Sequence, residues 1–410
     1  MGYLKQATIA TGWMGALRVV SRGLGFVKVV ILARILTPTD FGVFGIVALT
    51  LAFFETITEP GVNLKLVQQK EKIDSFVSTA WVISLVRGSL IAIAIFLSAP
   101  LVAGFFNQPE ALPLLKIAAL IPLLRGWLNP AAINFVRELH FRQEFTLRAI
   151  PLSLDIITTI IFGLTLRSPV ALVYGMIVGA GAELILTFTM TSLKPDLSFI
   201  KAKAKELFNY GKWVNIGWII SYLAEEFDDI LVGRILGPTS LGIYQQAYKL
   251  SVLPSGEIAE TLSKVTFPVY SKIATDTERL WRAVKKTTVV TTVIALPATL
   301  VFIFFPALII QIILGDQWLS ATAPLQILAI FGFFRAVNQP ASAALYASNR
   351  PDLAALLRAA NFAVMAGLLF YLVPRYQLPG TATAVVISTL VVTPWLWLSV
   401  RKILTPSPLK

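Results

Sequence analysis

A nine-residue stretch, Arg34-Ile35-Leu36-Thr37-Pro38-Thr39-Asp40-Phe41-Gly42, returns 200 residues later as Arg234-Ile235-Leu236-Gly237-Pro238-Thr239-Ser240-Leu241-Gly242. The Arg, Ile, Leu, Pro, Thr and Gly are identical in the two copies. A repeat at a fixed offset constrains architecture before any single motif does. It predicts that the chain is two copies of one unit.

The solvent of those units follows from charge. Only 14% of residues are charged and 56% are hydrophobic, whereas a soluble domain carries about 25% charged residues. A helix needs about 20 apolar residues to cross a bilayer. Twelve runs qualify, at roughly 11–33, 41–59, 76–98, 112–135, 148–166, 169–192, 212–233, 243–263, 288–312, 322–346, 353–373 and 379–400. The expected fold is an all-α membrane protein with 12 transmembrane helices in two six-helix lobes. Six spans separate the two copies of the repeat, so both lie on the same side of the membrane. The lobes are then parallel repeats about a pseudo-two-fold axis along the membrane normal. Residues 1–195 are the expected N-terminal lobe and 212–410 the C-terminal lobe. Residues 196–211 form a basic linker, which either lies amphipathically on the inner leaflet or is simply solvated. In each copy of the repeat, proline is expected to stop one helix and glycine to admit the next.

The net charge of +13 is explained by topology, without nucleic acid. Cytoplasmic loops of membrane proteins collect Lys and Arg. With the N-terminus inside, 23 basic residues fall on inner segments and four (Arg34, Arg167, Arg234, Arg375) on outer ones. Both termini are therefore expected in the cytoplasm. Lys5 precedes an apolar stretch that Arg18 and Arg22 interrupt, with no small-residue cleavage site. It reads as a retained helix, not a signal peptide. The chain has no cysteine and one histidine, His140, so neither disulfides nor a histidine-rich metal site is expected.

Eight basic residues remain that are not counted with a loop, all inside predicted spans: Arg18, Arg22, Lys28, Arg87, Lys116, Arg125, Lys249 and Arg335. Charge near a helix end can snorkel to the interface. Deeper charge is costly and points to function. Arg18 and Arg22 share a helix face, and Gly25 lies within about 20° of Arg18 on the wheel. Such a face suits a wet cavity that a bulky anion enters. Arg18, Arg22, Arg87, Arg125 and Lys249 are the candidate substrate-binding set. The acids Glu55, Asp155, Glu183, Glu225, Asp228, Asp229 and Glu257 admit two readings. They pair with buried bases, or some of them bind a coupling H+ or Na+. No nucleophile motif, phosphate loop or metal cluster appears, and no catalytic residue or further cofactor is expected.

The residues that carry a resemblance are three. They are 32–44 around the first repeat, Arg137-Glu138-Leu139-His140-Phe141-Arg142, and Asp229–Leu250 continuing through Phe267-Pro268-Val269-Tyr270-Ser271-Lys272. With these the chain resembles the bacterial polysaccharide-export flippases of the multidrug/oligosaccharidyl-lipid/polysaccharide transporter superfamily. The resemblance implies two lobes around a central cationic cavity that open alternately to each side. It implies an undecaprenyl-diphosphate-linked oligosaccharide as cargo, moved from the inner to the outer leaflet of the bacterial cytoplasmic membrane. It also implies the lipid bilayer and a glycan polymerase or export machinery as partners. Two competing expectations are a multidrug or metabolite antiporter of the same superfamily and a membrane glycosyltransferase or polymerase.

Overall fold

The computed structural model describes residues 3–58 and 74–405. Among them there is no strand. The helices are α1 Tyr3–Ile35, α2 Pro38–Thr58, α3 Asp74–Phe105, α4 Ala111–Ala118, α5 Leu120–Gly126, α6 Asn134–Arg137, α7 Phe141–Leu166, α8 Val170–Met190, α9 Lys201–Lys272, α10 Thr277–Phe304, α11 Pro306–Ile313, α12 Thr322–Ala347 and α13 Pro351–Leu404. Short 3-10 turns at Pro130–Ile133 and Asp316–Ala321 join α5 to α6 and α11 to α12. Among the described residues, seven helices are long and apolar enough to cross a membrane, and an eighth crossing is available if the bent segment Ala111–Arg137 is one broken span. The chain is a multi-pass membrane protein.

Two of the helices exceed any bilayer. At 1.5 Å per residue, the 72 residues of α9 and the 54 of α13 would run roughly 108 and 81 Å, against a hydrocarbon core of about 30 Å. Each is broken. α9 breaks at Gly237, with φ 83° and ψ 178°. α13 breaks at Gln377, with φ 51° and ψ −134°.

The repeated turn is built in two ways. In the first copy the Thr37 N–H and hydroxyl donate to the Asp40 carboxylate at 2.8 and 2.7 Å. The Asp40 N–H donates back to the Thr37 hydroxyl at 3.3 Å. This reciprocal cap satisfies donors that open the helix. In the second copy Gly237 adopts a positive φ that only glycine adopts readily. The proline role differs from expectation. Pro38 is the first residue of α2, where its missing N–H is no loss. It starts the second helix; it does not stop the first. Gly42 and Gly242 lie inside their helices, buried, and serve packing.

The chain folds as two compact units, Met1–Leu223 and Ala224–Lys410. In the first, helices approach at glycines. A Cβ on Gly88 would lie 2.6 Å from the Pro122 carbonyl oxygen and 2.7 Å from Gly126 Cα. α3 and α5 therefore touch backbone to backbone, as small residues allow in membranes. The expected span 112–135 is not one helix. It bends by 67° between Ala111–Gly126 and Pro130–Arg137. Asn129, extended at ψ 113°, precedes Pro130, and a residue before proline avoids helical backbone. Pro100, just beyond the expected span 76–98, is inside α3.

Residues 191–200 form a strap on the same unit. The Asn129 side chain donates to the Thr191 hydroxyl and the Leu193 carbonyl, both at 2.8 Å. The Asp196 and Ile200 N–H groups donate to Ser78 and Thr79 of α3, each at 3.2 Å. Hydrogen bonding from the Ser78 and then the Ser198 hydroxyl holds the Asp196 carboxyl below its ordinary range. Helix begins again at Lys201 and runs through the rest of the expected linker. Tyr222, near the end of the unit, donates to the Leu49 carbonyl of α2 at 2.9 Å. In the second unit Tyr270, Leu280, Val284, Ala341, Leu396 and Val400 make a core between α9, α10, α12 and α13.

The Gly88–Gly126 contact has a measurable consequence. Gly88→Ala overpacks the α3–α5 crossing at a cost of about 1–3 kcal/mol, seen as a lower melting temperature in detergent. Gly104→Ala, where a Cβ meets nothing within 4 Å, leaves it unchanged.

Candidate functional site: two polar cavities

The first unit encloses a cavity of about 420 Å³. Arg87, Arg125 and Arg148 line it together with Glu55, Glu144 and Glu183. Three helices deliver the acids to the bases. Arg125 Nη1 donates to Glu55 Oε1 at 2.8 Å, from α5 to the end of α2. Arg148 Nε meets Glu144 one turn earlier at 2.9 Å, and its Nη1 meets Glu183 of α8 at 2.7 Å. Arg87 Nη2 donates to the Glu55 carbonyl at 2.8 Å and its Nε to the Thr58 hydroxyl at 3.2 Å. It thus caps the C-terminal end of α2, where a cation meets the negative end of the helix dipole. Gly88 and Gly126 also line this space. The close helix crossing positions Arg87 and Arg125 on one wall.

Of the expected cationic set, Arg87 and Arg125 share this cavity. Arg18 is half-buried and Arg22 exposed on α1. The flanking Gly15 and Gly25 face open space, and neither arginine lines the cavity. Lys249 is exposed on α9 in the second unit. Among the expected coupling acids, Glu55 and Glu183 sit in the cavity as partners of arginines. Asp155 lies elsewhere in the unit. Lys28 Nζ reaches its two oxygens at 2.8 and 3.0 Å, and the Thr159 hydroxyl donates to it at 3.0 Å. Gly175 of α8 makes room there, since a Cβ on it would come within 2.4 Å of the Asp155 carboxylate.

The second unit has its own cavity of about 520 Å³, to which Glu225 and Asp228 contribute. Asp228 is buried and accepts from the Tyr244 hydroxyl at 2.6 Å. Asp229, its neighbour, accepts from Gln245 Nε2 at 2.8 Å. The Glu257 side chain lies outside the described residues.

Sequence reasoning missed Glu144 and the cavity role of Arg148. Their four-residue spacing at the start of α7 was the available signal. It also missed Asn129, whose buried amide ties the strap to the cavity wall, and the Asn338–Thr393–Trp397 cluster of the second unit. Polar side chains that meet across 55 or more residues leave no local pattern.

Residues 31–323 match a family described as Polysaccharide biosynthesis protein, and the chain belongs to that family. It is 26% identical to the lipopolysaccharide biosynthesis protein WzxC of Escherichia coli (strain K12), over 85% of this chain and 72% of that protein. It is 23% identical to the teichuronic acid biosynthesis protein TuaB of Bacillus subtilis (strain 168), over 80% of this chain and 68% of that one. Among solved structures, the lipid II flippase MurJ in an inward closed conformation aligns with a TM-score of 0.77 at 17% identity, covering 94% of this chain and 87% of its own. An inward-facing multidrug resistance MATE transporter aligns with a TM-score of 0.69 at 14% identity, covering 96% and 98%. At those identities the structures share the fold.

The Lys28–Asp155 pair is tested by deletion. Asp155→Ala leaves a half-buried ammonium without its carboxylate and costs about 1–3 kcal/mol, read as loss of folded protein after detergent extraction. The double variant Lys28→Met/Asp155→Ala recovers most of that loss.

Proposed function

We propose that the chain is a flippase that carries an undecaprenyl-diphosphate-linked oligosaccharide from the cytoplasmic to the outer leaflet of the bacterial cytoplasmic membrane by alternating access. The observation that carries the reading is the gathering of three guanidinium groups, Arg87, Arg125 and Arg148, around one cavity of about 420 Å³ in a membrane-spanning helical unit. Hydrocarbon does not tolerate such a group without cause. A diphosphate headgroup with sugars cannot cross about 30 Å of hydrocarbon unaided. Arginine's planar fork suits phosphate oxygens in pairs. Arg125 meets Glu55 through one nitrogen, so a diphosphate has further donors to take when it displaces or joins the carboxylate. Family membership and the names of the relatives, lipopolysaccharide biosynthesis and teichuronic acid biosynthesis among them, support a polysaccharide precursor as cargo.

On this reading the function is transport, not catalysis. Arg18, Arg22, Arg87, Arg125 and Lys249 contact the anionic part of the cargo. Glu55, Asp155, Glu183, Glu225, Asp228, Asp229 and Glu257 hold the balancing charge, and those not committed to an arginine or lysine bind the coupling H+ or Na+. Twelve spans in two six-helix lobes, with both termini in the cytoplasm, are supported by three features. They are the breaks in α9 and α13, the bent fourth span and the skew of basic residues to one side. A multidrug antiporter would need a cationic guest and a site richer in carboxylates than in guanidinium groups, and the first unit's cavity holds equal numbers of each.

Two pairs of variants test the assignment in a strain lacking the native gene. Arg18→Ala with Arg22→Ala, and Arg87→Ala with Arg125→Ala, each lower surface polysaccharide at least tenfold, about 1.4 kcal/mol, at normal protein level. Unchanged export in both would overturn the anion-binding roles. Sugar transfer by the purified wild-type protein would instead favour an enzyme.

A further inference from the structure

The cavity of the second unit has a different chemistry from that of the first. Its volume of about 520 Å³ falls in the roughly 300–1,000 Å³ range of small-molecule sites. Gln339, Ser342, Asn361 and Thr389 bring amides and hydroxyls to its lining, and Tyr248 and Phe331 bring aromatic rings. Glu225, Asp228, Arg335 and Arg358 supply two charges of each sign.

Its walls are fixed. Asn338 donates from Nδ2 to the Thr393 hydroxyl at 2.7 Å and accepts at Oδ1 from the Trp397 indole at 3.1 Å. α12 and α13 are thereby locked together across the cavity. The Tyr248 ring packs on Phe331 at 5.5 Å between centroids, and its hydroxyl accepts from Arg335 Nη1 at 3.3 Å. The Thr389 hydroxyl donates back to the Val385 carbonyl at 2.9 Å, which leaves its oxygen able to accept from a guest.

A sugar ring has a matching profile. Its rim carries hydroxyls that both donate and accept, as side-chain amides and hydroxyls do. Its flatter face is rich in C–H bonds, which sit well on aromatic rings. A diphosphate needs clustered guanidinium groups, and the first unit's cavity brings three where this one brings two, with Arg335 engaged by the Tyr248 hydroxyl.

We propose that the cavity between α9, α12 and α13 is a sugar-binding site that takes rings of the lipid-linked glycan and sets which glycan is exported. The proposal rests on the flippase reading above. A site built to hydrogen-bond a hydroxyl rejects a guest lacking it far more strongly than an apolar pocket rejects a size change. Glycan choice therefore resides in this cavity, and the lipid and diphosphate contribute none of it.

The test uses the host's own lipid-linked oligosaccharide, extracted from a strain lacking this gene, and undecaprenyl diphosphate without sugar. Affinities are measured on the full chain in lipid nanodiscs. Wild-type protein binds the glycosylated lipid at least about tenfold tighter than the bare lipid. In Asn361→Ala/Thr389→Val that ratio falls to near one. The oligosaccharide released from its lipid competes with binding to wild type and not to the double variant. A melting curve accompanies each variant, and Ser342→Ala, a milder change, is read by the same ratio if the double variant does not fold. Equal affinity of wild type for the two lipids, or a ratio unmoved by the substitutions, sinks the sugar site and leaves the flippase standing. Failure of wild type to bind either lipid sinks both.

Discussion

A charge inside hydrocarbon persists only with a partner, and that constraint arranges much of this molecule. Lys28 holds Asp155 across 127 residues of sequence, Arg125 holds Glu55 across 70, and Arg148 holds Glu183 across 35. Each pair ties a different two helices of the first unit. Weak helix–helix attraction in lipid, where apolar surfaces gain little by meeting, is thus supplemented by directional bonds. The same pairs hold cations ready in a region that would otherwise reject them.

Glycine does the complementary work. The α3–α5 crossing brings backbones together at Gly88 and Gly126 and sets Arg87 and Arg125 on one wall. Gly175 lets α8 approach α7 closely enough to enclose Asp155 and Thr159. Side chains and backbone therefore solve one problem from two directions: small residues bring the helices near, and ionic contacts fix their register.

Much of the helical layout was legible in the sequence, because apolar runs of membrane length have no other reading. The repeat, the basic skew and the proline at each turn are local features. What stayed hidden was partnership. Nothing near Lys28 announces Asp155, and nothing near Asn338 announces Thr393 or Trp397. The bend before Pro130 was written in the Asn129–Pro130 pair but masked by the hydrophobicity around it. Arg148 stands at the very start of the apolar run, at the expected membrane edge, whereas α7 begins seven residues earlier at Phe141. Depth in the membrane was readable one helix at a time, whereas the cavity required knowing which helices face each other.

The two forms of the repeated turn differ in what they tolerate. One half of the chain secures its corner with a hydroxyl and a carboxylate, and the other with a residue that has no side chain. The corners keep their place while their chemistry has parted. The half built on Thr37 and Asp40 keeps a choice of residues that can bond one another. The half built on Gly237 has traded that latitude for a backbone posture few residues can hold. A change at Gly237 is therefore decided by backbone posture, and a change at Thr37 or Asp40 by whether the new pair can still bond.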